Sequence, residues 1–250
     1  MGSEESDVLM RAWHARDRLY HELFGPHSYA LPKKYEAPAD VEMATLSEAS
    51  EIAAISGKSL SVRDINILAF EPNELRPFWT FASSGLSNPW FGQSEDVSGF
   101  GCEFVLKTKT PGRWAIKFLR RLIYYIISYS GTLSPGVMLR IDAPLFLEGQ
   151  SEMGGLVVWY LDEAPETIYQ LPSGQFAIFS VLGITSDECD FVETIDQYGC
   201  WCIQQIIRDA GYEQCTEPSR RSLLAGGQSE SRLSSLRNYL ENFGFKTGQS

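Results

Sequence analysis

Apolar residues at Val8, Leu9, Ala12, Trp13, Leu19, Tyr20, Leu23 and Phe24 recur at helical spacing. That spacing predicts an amphipathic helix, and Gly25-Pro26 ends it. Pro32 and Pro38 punctuate the loop that follows, and a second short helix is expected from Thr45 or Ser47 to Ile55, stopping at Gly57. Ser59 to Phe70 reads as a strand with Ile65, Ile67 and Ala69 on one face. Between Phe78 and Lys109 two alternating halves flank a polar, glycine-rich loop. Trp79, Phe81 and Ser83 alternate with Thr80 and Ala82; Cys102, Phe104 and Leu106 alternate with Glu103, Val105 and Lys107. Such alternation marks strands with unlike faces, and it casts Glu103 as a solvent-facing strand residue.

Pro111-Gly112 makes a turn into a helix from Trp114 to Tyr129. Trp114, Phe118, Leu122 and Tyr125 lie near its inner face, and Arg113, Lys117, Arg120 and Arg121 cluster on its outer side. Val137–Ile141, Gly155–Tyr160 and Phe176–Gly183 are three further strands; the last two are nearly continuous in apolar character, so both their faces should be covered. Thr185 or Ser186 caps a helix that carries Phe191, Ile195, Tyr198, Cys202 and Ile206 to its end near Gly211. From Glu213 to Glu230 the chain turns polar and Ser/Gly-rich, which reads as a linker before a short helix striped by Leu233, Leu236, Leu240 and Phe243. The order of elements predicts an α+β fold: a mixed or antiparallel central sheet with packed helices. It divides the chain into a helical N-terminal part (1–57), a core (58–212), and a linker with a C-terminal helix (213–250).

Composition narrows the class. The 250 residues are 44% hydrophobic and 12% aromatic, enough for a sizeable core. A net charge of −11 argues against non-specific nucleic-acid binding and against anionic membranes, and favours a soluble protein with a basic partner. No apolar run is long enough to span a membrane, and MGSEES lacks the basic and apolar regions of a secretory leader. The five cysteines are an odd, scattered set without a CxxC pair, which predicts reduced thiols and a cytoplasmic protein.

Chemistry needs convergent groups, and few are present. All three histidines, His14, His21 and His27, lie in or just beyond the first helix, so the body lacks the usual base for a Ser or Cys triad. There is no GxSxG and no P-loop, and Gly99-Phe100-Gly101 leads into a strand where a dinucleotide fold needs a helix. No metal or cofactor is expected. Asp187, Glu188 and Asp190 at a helix start read as capping and dipole features. What remains is the loop of the 78–109 stretch: Trp90, Phe91 and Phe100 beside Glu95, Asp96 and Glu103. Aromatics and acids on a loop held by a sheet form a recognition surface. The enzymatic alternative is a carboxylate-dependent hydrolase using Glu95, Asp96 and Glu103. A third reading is a homo-oligomeric scaffold pairing through the Trp13 helix or the C-terminal helix.

Ser84-Gly85-Leu86-Ser87, an acidic loop, and Ser98-Gly99-Phe100-Gly101-Cys102-Glu103-Phe104 occur in that order and strand context. This pattern resembles the suppressor of fused (SUFU) domain family, and in particular its short single-domain bacterial members. The likeness runs from about Arg63 to Tyr212, through the Asp142-Ala143-Pro144-Leu145 corner. It implies a single SUFU-like α+β domain and a non-catalytic binder of proteins. It implies partner contacts at Trp90 and at Glu95 or Asp96, with Asn88 standing where the family has Asp. It also hints that Glu103 is tied structurally to the glycine turn. Animal members clamp a segment of a transcription factor as an added strand, the hedgehog-type alternative. Bacterial members are associated with toxin neutralisation, and an acidic binder suits a basic toxin.

Overall fold

A computed structural model describes residues 3–28, 53–55, 58–60, 65–89, 96–129, 133–141, 151–195, 198–224 and 234. In chain order its elements are α1 (Ser3–Phe24), β1 (His27–Ser28), β2 (Ala53–Ile55), β3 (Lys58–Leu60), β4 (Asn66–Phe70), β5 (Trp79–Ser84), β6 (Val97–Thr108), α2 (Arg113–Tyr129), β7 (Met138–Arg140), β8 (Met153–Tyr160), β9 (Tyr169–Leu171), β10 (Gly174–Thr185), α3 (Ser186–Thr194) and α4 (Gly199–Asp209). The chain forms two compact units: residues 1–133 with 160–180, and residues 134–159 with 181–250.

The first unit is built on strands in the order β1-β4-β5-β6-β10, with β9 also on β10. Neighbours from β1 to β6 are antiparallel, but β6 and β10 run parallel, so the sheet is mixed. Both β5 and the body of β6 are buried on both faces. Tyr20 and Phe24 of α1 pack with Leu68, Phe70, Ala82, Val105, Phe176 and Ile178 into one core cluster. The helix α2 also packs on β4, β5 and β6. Its Trp114, Phe118, Leu122 and Ile126 are buried as the spacing predicts, whereas Tyr125 is 40% exposed.

Several expectations need correction. Ala53–Ile55 is the first strand of a hairpin with Lys58–Leu60, not the end of a helix. The strand expected from Ser59 to Phe70 is therefore two strands, and Asn66–Phe70 alone joins the main sheet. Glu103 does not face solvent; it is fully buried, because β6 is a central strand with no wet face.

In the second unit β7 and β8 are antiparallel, and the C-terminal half of β10 lies beside β8. Leu182 and Ile184 of β10 meet Val157, Cys189, Val192, Ile203 and Ile206 in a second core cluster. The helix expected from Ser186 to Gly211 is two helices. A side chain at Gly199 would come within 2.1 Å of the Val192 carbonyl oxygen, so the second helix starts where only glycine lets the chain fold back against the first. The stretch from Glu213, read as a linker, is held in place as far as Leu224. Thr216 is buried and accepts the Gly183 N–H at 2.9 Å, and Arg220 is buried as well. The C-terminal helix expected from Leu233 lies outside the described residues. The five cysteines are buried free thiols, and burial pushes Cys189, Cys200 and Cys202 each up to about 11.

Candidate functional site

The Ser98–Gly101 motif is a deep bulge in β6. Gln175 of β10 pairs with Val97 and Ala177 with Cys102, so β6 spends five residues where β10 spends two. Extra residues of this kind need unusual backbone angles. Gly99 and Gly101 supply them at φ +61° and +70°. A Cβ at Gly99 would lie 2.1 Å from the Leu86 carbonyl oxygen, so the motif needs glycine there twice over. The bulge and the Gly85–Asn88 turn are stitched together. Phe100 N–H donates to Leu86 O at 2.7 Å, and Ser98 Oγ donates to Ser87 O at 2.6 Å.

Glu103 is the internal anchor of this base. Its Oε1 accepts the Gly85 and Ser87 N–H groups at 2.8 and 2.9 Å and the Ser87 hydroxyl at 2.6 Å. Its Oε2 accepts the Ser83 hydroxyl at 2.5 Å, while Ser83 Oγ takes the Phe104 N–H at 2.8 Å. Arg16 of α1 adds a buried cation, Nη1 lying 3.5 Å from Oε1. That is longer than the 2.7–2.9 Å typical of a charge-assisted bond. The same Nη1 is closer to Asn88 Oδ1, at 2.7 Å, and Trp13 Nε1 donates to that oxygen at 2.7 Å too. Both contacts use the side-chain oxygen of Asn88, an acceptor that an Asp at this position would also supply.

The field of this anchor reaches its neighbours. Burial, and next the Glu103 charge, push Tyr20 well above its ordinary value; Tyr20 donates to Ser83 O at 2.7 Å. Burial and Glu103 push the Cys102 thiol up in the same way. With its lone pairs occupied from within, Glu103 holds a turn and is badly placed to take a proton from a substrate. Among the described residues no group of His, Cys, Asp and Glu could hold a metal ion, and no helix is long and apolar enough to cross a membrane.

Of the six residues singled out from the sequence, Trp90, Phe91 and Glu95 lie outside the described residues. Asp96 is exposed, and its carbonyl accepts the Gln175 N–H at 2.9 Å. Phe100 is half-buried in the bulge. Sequence reasoning gave Arg16 no role, read Trp13 only as part of a helix face, and did not foresee the Ser83 and Ser87 hydroxyl bonds to Glu103. Arg16 had a signal: it stands four residues from Ala12 and four from Tyr20, on the buried face of α1.

A second buried carboxylate organises the second unit. Glu188 sits in the first turn of α3 and is fully buried. It accepts the Thr185 N–H at 2.9 Å, the capping role expected of it, and the Leu223 N–H at 3.0 Å. Arg220 meets it with two parallel bonds of 2.5 and 2.7 Å. Beside it Asp187 accepts from Thr185 Oγ1 and from Ser222 Oγ. Burial acts to raise Asp187, but these hydrogen bonds outweigh it and hold the carboxyl below its ordinary value. Asp190 and Glu193 bind Arg140 on the surface.

The comparisons with known proteins agree with this architecture. The family model described as "Suppressor of fused protein (SUFU)" matches residues 61–221, extending past Tyr212 to take in Arg220. No curated protein matches the sequence. Drosophila Suppressor of Fused superposes with a TM-score of 0.57 at 17% identity, over 71% of this chain and 46% of that one. This chain thus spans about half the length of the Drosophila protein. A chain of the Sufu–Fu complex superposes at 0.63 and 14% identity, over 90% of this chain and 97% of that one. A SUFU homologue from Neisseria gonorrhoeae does so at 0.54 and 16%, over 89% and 100%. At these identities the likeness establishes the fold.

Proposed function

The chain belongs to the suppressor of fused family, and from that premise we propose that it is a non-catalytic domain that binds and sequesters a protein partner. The observation that carries this reading is the base of the 90–96 loop. Glu103, Ser98, Asn88 and Arg16 spend their polar groups inside the unit and hold both ends of the loop. Trp90, Phe91, Glu95 and Asp96, with Phe100, are the residues we assign to the partner contact, on the strength of the sequence pattern between these two held flanks. Met10 and Trp13 on α1 expose 42% and 37% of their surface, and Trp13 is bonded to Asn88 at the loop's edge. Exposed aromatic and apolar side chains beside acids make a surface for a protein, one with cationic groups around an apolar spot. One solved relative is a chain of a Sufu–Fu complex, a protein bound to a protein, which supports the class.

The biological setting we propose is neutralisation of a toxin by an immunity-type protein in the cytoplasm. Its support is the net charge of −11, which would steer a basic toxin to the chain, and the fold shared with a bacterial homologue. The test is co-purification at low salt from the source organism, with Trp90→Ala and the pair Glu95→Lys, Asp96→Lys as controls. A basic protein bound one to one by the wild type, lost from both variants, and stripped of its toxic activity by the pure domain is the expected result. A partner retained by both variants would move the binding face elsewhere. A partner that is itself a regulator of transcription would replace the toxin reading with the hedgehog-type one.

A further inference from the structure

Between Glu103 and Asp142 there is no acidic residue, and there are seven Lys and Arg, in a chain whose net charge is −11. Four of the seven, Arg113, Lys117, Arg120 and Arg121, lie on α2 at steps of four, three and one, which keeps them on one side of the helix. Arg120 and Arg121 are exposed and Arg113 and Lys117 half-exposed, while Ala115, Phe118, Leu119, Leu122 and Ile123 are buried beneath them. Among the described residues Lys117, Arg120 and Arg121 have no acidic partner.

This arrangement works against the helix. Arg113 stands at the positive end of the helix dipole, and the first turn has no acid to offset it. Arg113 and Lys117, and Lys117 and Arg121, are like charges one turn apart, a spacing that destabilises a helix. Solubility does not require it, because a face of mixed sign would serve without these penalties. We propose that the outer face of α2 is a second binding surface, for a short acidic segment of a protein. Tyr125, 40% exposed and one turn beyond Arg121, extends the cationic row with a ring and a hydroxyl. From Arg113 to Tyr125 the row is about 18 Å long at 1.5 Å per residue. That length matches about six residues of extended chain. A short acidic peptide sees mainly these cations, since salt screens charges beyond about 8 Å. A long polyanion such as nucleic acid would run off the row onto an acidic body, which is why a peptide is the better fit. This surface shares no residue with the loop site, and its partner has the opposite charge.

The experiment uses the full chain and a labelled decapeptide of Asp and Glu, titrated at low and at physiological salt. A single-stranded oligonucleotide of equal charge and a Lys decapeptide serve as comparisons. The wild type should bind the acidic peptide in preference to both, more weakly as salt rises. The double variant Arg120→Glu, Arg121→Glu should lose affinity by about tenfold or more. Its thermal midpoint should equal or exceed that of the wild type, because the change places a carboxylate one turn from Lys117. The milder pair Arg120→Gln, Arg121→Gln should lose binding to a smaller degree. Equal binding by wild type and both variants would overturn the proposal, as would tighter binding of the oligonucleotide. A fall in the midpoint of both variants would show instead that the cations serve the fold.

Discussion

Glu103 and Glu188 are both carboxylates with no exposed surface, and each is the anchor of its own unit, yet they are satisfied in different ways. Glu103 is held mostly by neutral donors from its own neighbourhood: the Ser83 and Ser87 hydroxyls and the Gly85 and Ser87 N–H groups. Its cation, Arg16, stands back at 3.5 Å and gives its shortest bond to Asn88. Glu188 is matched by one cation, Arg220, through two short parallel bonds. Burying a charge is expensive in either case, and only the compensation differs. Hydrogen bonds from a tight turn shape that turn, so the Glu103 anchor fixes the base of a loop. A bidentate ion pair fastens whatever segment carries the cation, so the Glu188 anchor ties residues 217–224 to the start of α3.

The comparison breaks most visibly at Arg220. Arg220→Ala leaves Glu188 buried and charged with only two N–H donors, and should cost about 3–5 kcal/mol. Chemical denaturation of the full chain would read that loss, and limited proteolysis should show the chain cut after Gly211 while the first unit stays intact. A loss below about 1 kcal/mol, the worth of an exposed pair, would mean that the ion pair is not formed in solution. Glu103→Gln is the matching change in the first unit. It keeps the shape and one good acceptor, but the Ser83 hydroxyl, engaged by Phe104 N–H, loses a charged acceptor. The expected cost is about 1.5–3 kcal/mol, the range for hydrogen bonds to charged groups. It should be smaller than that of Arg220→Ala, because Arg16 keeps Asn88 and Ser87 when the charge goes. The reverse order of the two losses would show that Arg16, not the neutral donors, holds Glu103.

The same contrast explains what the sequence could tell. The Glu103 anchor is largely local: the acceptor and its neutral donors lie within Ser83–Glu103, Arg16 alone coming from α1, and the glycines mark the places where backbone angles are special. A family pattern can therefore expose it. Alternation along β6 misplaced Glu103, because alternation reports a wet face only when one exists, and both faces of β6 are covered. Lys107 shows this as well; it is buried, bound to Glu163 at 2.7 Å and set over the Phe78 ring. The Glu188 anchor is non-local. Its cation comes 32 residues later, from a Ser-rich stretch whose composition reads as a linker, and no periodicity announces it. Ala53–Ile55 failed for another reason. Alanine favours helix, but Ser56-Gly57 is a hairpin turn signal, and strand pairing with Lys58–Leu60 overrode the propensity.

The finest effect is expected beside the second anchor, where Asp187 answers to acid. Asp187 is held below its ordinary value of 3.8 by Ser222 and Thr185, although burial acts the other way. A carboxyl whose folded value is depressed adds stability that is complete above its unfolded value and is lost as pH falls through the folded one. Ser222→Ala removes one of these hydrogen bonds, for about 0.5–1.5 kcal/mol at neutral pH. It also removes the Ser222 acceptor of the Leu224 N–H, which does not titrate in this range. The stability gap between wild type and variant should therefore be widest at neutral pH and narrow below pH 3.8, leaving a residue from the Leu224 bond. Urea midpoints from neutral pH downwards would trace it. A gap that stays constant across the acid range would show that Ser222 does not act through the Asp187 charge, and that only the Glu188 pair fastens this segment.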